Sequence, residues 1–478
     1  MASAAHNASS LLEFIRSRRW FRSKARNVEK AEIEDVIAIP NSPARVLLVR
    51  IEYAEGDCDH YLVTDSGSNS GEPREALDNP ELREQLVRAF QENASWSGES
   101  GELTFSRTKA FRDEIASRNY ESFVSRAEQS NTSIVYGDWC ILKLFRKIEP
   151  GINPDIEVGA FLTEGGFKHT PAVQGTLEYR SKKGDIYSAG ILQQFVPNRG
   201  DAWKYTLESL HAVLDRVSAP GFEQSMERFD EIAADYIRSA ALLGQRTAEM
   251  HIALANAGGN PDFEPEPFTA EARQKVYEEM LAQADIAFET LRRRQATLSG
   301  DAADFARTVL RLEYRVADRF AALREHEISA YRIRIHGDYH LGQVLWTASD
   351  FMIIDFEGEP ARPLNERRTK SLAMRDVAGM LRSFEYAHKA ALLERSSKND
   401  DPDNLAGGWN SSRINDAYLD AYVRAARGNI FLPVNAEQRR MVLDAFLLQK
   451  ALYELAYEMN NRPDWVAIPL RGILTLIA

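Results

Sequence analysis

Cysteine is nearly missing from this sequence. Cys58 and Cys140 are its only two, and thiols so few and so far apart supply neither a disulfide scaffold nor a metal-ligating cluster, which points to a reducing compartment. Long apolar runs are missing as well. No stretch reaches the ~18 residues that cross a bilayer, and the opening MASAAHNASS has neither the basic segment nor the apolar core of a secretion signal. The apolar stretch WVAIPLRGILTLIA is short and broken by Arg471, so it is expected to be a buried closing segment rather than an anchor. A surplus of positive charge is also lacking. Lys and Arg total 59 against 71 Asp and Glu, a net charge of −12, which disfavours a broad footprint for nucleic acid or anionic lipid and leaves room only for local basic pockets. A soluble, cytoplasmic protein with no nucleic-acid or membrane partner is the expectation.

What the chain has is apolar substance. Hydrophobic residues make up 44 % of its 478 positions, enough for two or three units that each bury a core. From Glu32 to Val63 the pattern is strand-like, AEIEDVIAI and ARVLLVRIEY around the turn PNSPA, and a helix-like ELREQLVRAF and a strand pair near GELTFSRT follow. Residues 1–112 are therefore expected to form an N-terminal β-rich cap. Residues 113–197 read as an intermediate β subdomain of order β-β-helix-β-β, with SIVYGDWCILKLF and DIYSAGILQQFV as strands and NPDIEVGAFLTEGGF as the helix. From 198 to 478 long helical patterns dominate, among them the charged amphipathic span Thr269 to His326, interrupted by one β-like island, IRIHGDYHLGQVLWTASDFMIIDFEG. The fold class is α+β, with no internal repeat.

The island carries the strongest chemical signal, HGDYHLGQVL (336–345) followed by IIDFEGEP (353–360). Phosphoryl transfer needs one carboxylate at the acceptor hydroxyl and another on Mg²⁺, because positioning and charge neutralisation supply most of the rate. Asp338 and Asp355 meet that description. Gln343 stands where a protein-kinase catalytic loop has Asn, five residues after its Asp, and Asp355, Phe356 and Glu357 stand where D-F-G is expected. Gln keeps an amide oxygen for Mg²⁺ on a longer arm. A lone Asp between strands commonly makes only an Asx-turn, but two aspartates with an amide between them argue against that. Upstream, Lys143 in the strand CILKLF suits the nucleotide phosphates, and Glu157, just after the Asn-Pro helix start, suits the role of its partner. Alone, Lys143 would be a snorkelling surface residue. The turn before it, EQSNTSIVYGDW, has no G-x-G-x-x-G and no G-K-[ST]. Ser130, Asn131, Thr132 and Ser133 offer hydroxyls and backbone N–H groups to ATP there, although an ordinary hairpin turn accounts for them equally well. Gln193, Gln194, Phe195 and Val196 close the last strand of the β half, where backbone groups are expected to meet adenine.

RRWFRSKAR, EQSNTS, LKLFRKIEPGINPDIEVGAFL, LQQFVPN, LGQRTAEMHIALA, HGDYHLGQVL, IIDFEGEPARPLNERRTKSLAMRDVAGMLRSFEYA and KALYELAYEMNNRPDWVAIPL together resemble the bacterial maltokinases. HGDYHLGQ alone would indicate only the wider aminoglycoside-phosphotransferase-like group of eukaryotic-kinase-like enzymes. The resemblance implies a bilobal protein-kinase-like fold with an N-terminal cap, an intermediate β domain and a large helical C-lobe. It implies transfer of the ATP γ-phosphate to the anomeric hydroxyl of maltose, feeding glycogen-type glucan synthesis from trehalose, with trehalose synthase as a fused or separate partner. It also makes Asp338 the base, Gln343 and Asp355 the Mg²⁺ ligands and Glu357 their support, and in that family Gln at this place is usual.

Within KALYELAYE, Lys450, Tyr453 and Tyr457 fall on one helical face at i, i+3 and i+7. Aromatics at that spacing usually belong to a core. The resemblance instead makes them a platform for a sugar, whose C–H faces stack on rings. His340 is expected to face the sugar too, with a structural loop role as the alternative, and Trp465 either closes the pocket or packs the last helix. The mixed RRWFRSKAR is taken as a hallmark of the cap. Glu366, Arg367, Arg368, Lys370 and Arg375 are either solvated charges or a substrate-side network. A kinase of an aminosugar such as glucosamine, or of an aminoglycoside, is the rival enzyme. It calls for free carboxylates around an amine, for which Glu454 and Glu458 are the candidates. A non-catalytic partner domain of trehalose synthase is the other rival, disfavoured by Lys143, Glu157, Asp338 and Asp355 occurring together.

Overall fold

In RVLLVRIEY apolar residues fall on both alternations of a period-2 strand, the mark of a strand buried on two sides. The computed structural model describes residues 8–477 except 22, 25, 68–71, 113–119, 126–129, 218–225, 361 and 397–410, and it builds β2 (Arg45–Tyr53) in that way. Leu47, Val49, Ile51 and Tyr53 face a cluster with Leu11, Ile15, Trp20 and Phe21 from the N-terminal segment. Val46 and Leu48 face a second cluster that runs through Leu103, Leu142, Leu177 and Ile191. Trp20 and Phe21, the apolar centre of RRWFRSKAR, lie against Tyr61 at ring distances of 5.9 and 5.4 Å. Their role in the cap is thus packing, and burial of each ring contributes on the order of 1.5–3 kcal/mol.

The chain divides into two compact units, Met1–Pro197 with Arg362–Glu366, and Asn198–Ala361 with Arg367–Ala478. The first holds two sheets. One is four-stranded, β1 (Val28–Ala38), β2, β3 (Cys58–Asp65) and β9 (Lys147–Ile148). The other is seven-stranded, in the order β4 (Ser95–Ser97), β5 (Gly101–Arg107), β10 (Val173–Ser181), β11 (Ile186–Gln194), β8 (Cys140–Leu144), β7 (Thr132–Tyr136) and β6 (Ser122–Val124). The segments on either side of residue 112 are interleaved in both: β5 pairs with β10 from Gly101↔Ser181 to Arg107↔Gly175, and β9 pairs with β3. Arg146, 1 % exposed, links the sheets by donating to Thr132 Oγ1 at 2.7 Å, Thr64 Oγ1 at 3.1 Å and Glu75 at 3.0 Å.

The second unit is mainly helical. The span from Thr269 to His326 forms three helices, Ala270–Arg294, Gly300–Arg311 and Glu313–Glu325. Thr269 caps the first of them, its hydroxyl accepting from the Ala272 N–H at 3.3 Å. The island folds as expected into a two-stranded ribbon, Val344–Trp346 with Phe351–Ile353. The closing apolar stretch is the helix Ala467–Ile477, with Leu470 and Ile473 fully buried. No helix among the described residues is long and apolar enough to cross a membrane.

One buried histidine couples this unit to pH. Burial on the helix Met374–Ser396 pushes His388 down from 6.5 to about 3, with the charge of Lys389 adding to the shift. A site neutral in the fold but protonated on unfolding contributes stability above the unfolded value and loses it as pH falls. The thermal midpoint is therefore expected to drop as pH is lowered from 6.5 toward 3, and to drop less for His388→Phe; calorimetry at stepped pH checks this, and parallel curves would exclude it.

Candidate active site

The loop that carries Asp338 is held from beneath by a buried carboxylate. Asp376, 2 % exposed in the first turn of Met374–Ser396, accepts the His336 N–H at 2.8 Å through Oδ2 and the Gly337 N–H at 3.0 Å through Oδ1. Its Oδ2 also meets His251 Nε2 at 3.0 Å, and Tyr422 Oη lies 2.9 Å from the other ring nitrogen, Nδ1. Burial on its own would raise Asp376; the hydrogen bond and charge of His251, the charge of His336 and the Gly337 N–H outweigh it and hold the carboxyl below its ordinary range. The sequence signal for this residue is a single Asp in the apolar run LAMRDVAGM, which must be paired if buried.

The same loop is tied to the loop that follows. His336 Nε2 donates to the Ile354 carbonyl at 2.9 Å, and the Ile354 N–H donates to the Gln343 carbonyl at 3.0 Å. Gln343 and Asp355 thereby come together at one end of the ribbon. Gly337 and Gly358 both have left-handed backbone, φ 86° and 69°, and a Cβ on Gly337 would lie 3.3 Å from the Gly358 Cα, so the two loops pass backbone against backbone. Asp355 takes φ 67°, an uncommon conformation for a residue other than glycine and a form of strain that clusters at functional sites. One carboxylate oxygen of Asp355 and one of Glu357 lie within 4.8 Å of each other. Such a pair of hard oxygen donors fits Mg²⁺.

Asp338 opens onto a pocket lined by Glu359, Arg375, Gln449, Lys450 and Tyr453, among others. Lys450 and Tyr453 come from the helix Ala436–Asn461. The Lys450 ammonium is 3.6 Å from Asp338 Oδ1 and 4.8 Å from the centre of the Tyr453 ring. Tyr453 and Tyr457 are stacked, centroids 6.5 Å apart and planes 18° from parallel, and Tyr457 is 45 % exposed. Burial pushes the Tyr453 phenol well up, with the charges of Glu359 and Asp338 and a hydrogen bond to Glu359 adding. Glu359 also lies 3.6 Å from Arg375. The charges after Glu357 divide: Arg375 joins the pocket, Arg367 donates to the Glu357 carbonyl, and Lys370 and Arg368 pair with Glu266 and Asp262.

Four further residues sit differently from the simplest expectation. His340 turns into its own loop, Nδ1 accepting from the Gly342 N–H at 3.1 Å, and burial lowers its pKa. Glu454 is consumed by Arg382, which reaches its Oε2 at 2.9 and 2.6 Å, so it is no free carboxylate for an amine. Glu458 is likewise taken by Arg462 at 2.9 and 2.7 Å. Trp465 stacks on Tyr386 with its planes 19° from parallel, and Arg462 lies over the rings of Tyr457 and Trp465.

In the first unit, Lys143 and Ser133 are cross-strand partners. The Lys143 ammonium meets Asp155 at 3.1 Å, an ion pair with side chains 9 % and 1 % exposed. Asp155 had not been singled out; it lies two residues before Glu157 in the first turn of Pro154–Glu164, where Asn153 caps the helix and the helix dipole favours an anion. Ser130 and Asn131 precede β7 and residues 128 and 129 of EQSNTS lie outside the described residues. The Thr132 hydroxyl is taken by Arg146. At the strand end after Gln193, the Gln194 N–H donates to Ala172 O and the Phe195 N–H to Trp139 O, each at 2.9 Å. These two N–H groups are thus engaged by carbonyls of neighbouring loops.

The model of a phosphotransferase enzyme family matches residues 226–398, a span that contains Asp338, Asp355 and Asp376. The chain is a phosphotransferase. It is 24 % identical over 357 residues to a glucosamine kinase of Streptacidiphilus jiangxiensis, covering 73 % of this chain and 72 % of that one. To a glucosamine kinase of Mycolicibacterium smegmatis it is 23 % identical over 356 residues, covering 73 % and 78 %. Crystal form B of a glucosamine kinase matches 99 % of this phosphotransferase and 98 % of its own chain, with TM-score 0.69 and 20 % identity. A glucosamine kinase solved with glucosamine, ADP and inorganic phosphate matches with TM-score 0.67 at 20 % identity over 98 % and 99 % of the two chains. The fold is therefore the bilobal kinase-like α+β fold. The Asp376 carboxylate is expected to be what keeps the catalytic loop in place: Asp376→Asn retains a single oxygen for two N–H groups and should cost about 1–3 kcal/mol of stability. Turnover should fall by about tenfold or more with ATP affinity nearly unchanged, which steady-state kinetics and thermal melts together check.

Proposed function

We propose that this phosphotransferase is an ATP- and Mg²⁺-dependent sugar kinase whose acceptor is maltose, phosphorylated at its anomeric hydroxyl to give maltose 1-phosphate and ADP. The observation that carries this reading is the stacked pair Tyr453 and Tyr457 beside the Lys450–Asp338 contact, a ring platform that begins at the reacting end of the pocket and runs out to solvent. A monosaccharide needs no such extension. An ammonium-bearing sugar would meet Lys450 and Arg375 in the pocket, while Glu454 and Glu458 are already paired. A glucosamine acceptor is the second reading, favoured by the names of the two relatives and by Glu359 in the pocket lining. Consumption of the product in α-glucan synthesis, with trehalose synthase as supplier of maltose, belongs to the first reading.

Asp338 orients the acceptor hydroxyl and takes its proton as the oxygen bonds to the γ-phosphorus and the bridging P–O bond to ADP breaks. Lys143, held by Asp155, is suited to the nucleotide phosphates, with Ser130, Asn131 and Ser133 as the neighbouring polar groups and Glu157 in the same helical turn. Asp355, Gln343 and Glu357 would hold Mg²⁺, which neutralises phosphate charge when bound. Lys450, its ammonium 3.6 Å from Asp338 Oδ1, helps to aim the carboxylate, and His340, through its loop contact with Gly342, fixes the residues that follow Asp338.

Incubation with ATP, Mg²⁺ and maltose, glucose, trehalose or glucosamine, with products assigned by mass and NMR, decides the acceptor. Maltose 1-phosphate is expected; phosphorylation of glucosamine alone would overturn the reading. Asp338→Asn should lower turnover by about 10²–10⁴-fold while folding and ATP binding persist, and near-normal turnover would remove Asp338 from the chemistry. Tyr457→Ala should cost ~1–3 kcal/mol in kcat/KM for maltose, the scale of one buried contact, with the KM for ATP hardly moved. Because the second ring is remote from the reacting hydroxyl, part of that loss is expected in kcat. An equal loss for both substrates would place the acceptor elsewhere.

A further inference from the structure

The second unit contains another concavity, of about 960 Å³, that shares no lining residue with the acceptor pocket. Its size lies within the range of small-molecule sites. Its charge is one-sided: Arg273, Arg427 and Arg439 line it against a single carboxylate, Glu327. Two of these guanidinium groups are held in place by the protein. Arg439 Nη1 donates to the carbonyls of Pro433 and Val434 at 2.9 and 2.7 Å, and Arg273 donates through Nε and Nη1 to the carbonyls of Arg324 and Phe268 at 3.3 and 3.4 Å. Among the described residues no protein acceptor meets their Nη2 groups. Fixed guanidinium forks of this kind match phosphate oxygens in a way that a lysine cannot. The remainder of the lining is largely apolar, and Ile430 and Val434 stay 51 % and 85 % exposed on it. A body with C–H surface attached to a phosphate satisfies both parts.

The wall of this concavity is wired to the catalytic loop. Ile430 and Leu432 flank Phe431, whose ring meets that of His251 edge-on at 5.9 Å. Val423 follows Tyr422, whose hydroxyl lies 2.9 Å from His251 Nδ1. The other nitrogen of His251 is bound to Asp376, the anchor of His336 and Gly337. Tyr331, also in the wall, donates its N–H to the Ile430 carbonyl at 3.0 Å and stands seven residues before Asp338 on the same chain segment. Movement of the 430–432 segment thus reaches the loop by packed side chains and by the backbone.

We propose that this concavity is a regulatory site for a sugar phosphate, and that its occupancy changes turnover through Phe431, Tyr422 and His251. The test is calorimetric titration of the full chain with glucose 6-phosphate, alone and against glucose or inorganic phosphate, for wild type, Arg427→Glu and Val434→Glu. Both substitutions are at exposed positions, and neither touches the acceptor pocket. Saturable binding is expected, weakened at least about tenfold, or 1.4 kcal/mol, in both variants. Glucose should not compete, and wild-type turnover at fixed ATP and acceptor should change by about twofold or more while Arg427→Glu is unmoved. Absence of saturable binding, or equal binding in all three proteins, overturns the site. Displacement by inorganic phosphate as effectively as by the ester reduces it to an adventitious ion only. Binding without any effect on turnover overturns the regulatory role. The binding measurements need no acceptor sugar, so they stand or fall separately from the maltose reading.

Discussion

One buried negative charge organises the catalytic half of the molecule. Asp376 accepts two consecutive backbone N–H groups and one imidazole N–H, and a carboxylate so placed is stable only because each donor replaces a water it has lost. The cost of burying the charge is recovered by fixing the peptide planes that immediately precede Asp338. The loop that presents Asp338 to the pocket is thus set by a buried carboxylate one helix away. The His336 ring carries the same constraint onward to Ile354, so the loops that hold Asp338 and Asp355 are tied to one another through the His336 ring and a backbone carbonyl.

The helix Met374–Ser396 does this twice. Six residues after Asp376 it presents Arg382, whose guanidinium binds Glu454 of the helix that carries Lys450, Tyr453 and Tyr457. Gly472 leaves room for it: a Cβ there would come within 2.4 Å of Arg382 Nη1. Burial pushes Glu454 upward and Arg382 opposes that shift. A buried ion pair of this kind adds little net stability compared with apolar packing, but losing one partner strands the other. What it supplies is register, since the Lys450–Tyr453 face and the Asp338 loop are both held against the same helix.

Much of this was legible because it depends on local pattern. The period of RVLLVRIEY, the Asn-Pro start of NPDIEV and the spacing from Asp338 to Gln343 to Asp355 follow from the geometry of a strand, a helix cap and a short ribbon. The face formed by Lys450, Tyr453 and Tyr457 follows from 3.6 residues per turn. What escaped was set by partners far away in sequence. Asp155 and Glu157 are both acidic first-turn residues, and only the approach of Lys143 singles out Asp155 as an ion-pair partner. Glu454 and Glu458 read as free carboxylates until Arg382 and Arg462 are found beside them. At the strand end read as an adenine contact, the Ala172 and Trp139 carbonyls accept the N–H groups of Gln194 and Phe195, and no composition rule reports where a loop carbonyl will sit.

The two sheets of the first unit exchange strands across residue 112, with β5 in the centre of one pairing and β9 at the edge of the other. The N-terminal hundred or so residues therefore do not behave as a detachable module. Removing them would strip β10 of its neighbour and bare a hydrogen-bonding edge in the very sheet that holds Lys143. A lineage carrying this arrangement can vary the cap by substitution and by loop length. It cannot discard or exchange the cap in one recombination event without also unmaking the strand ladder on which Lys143 stands.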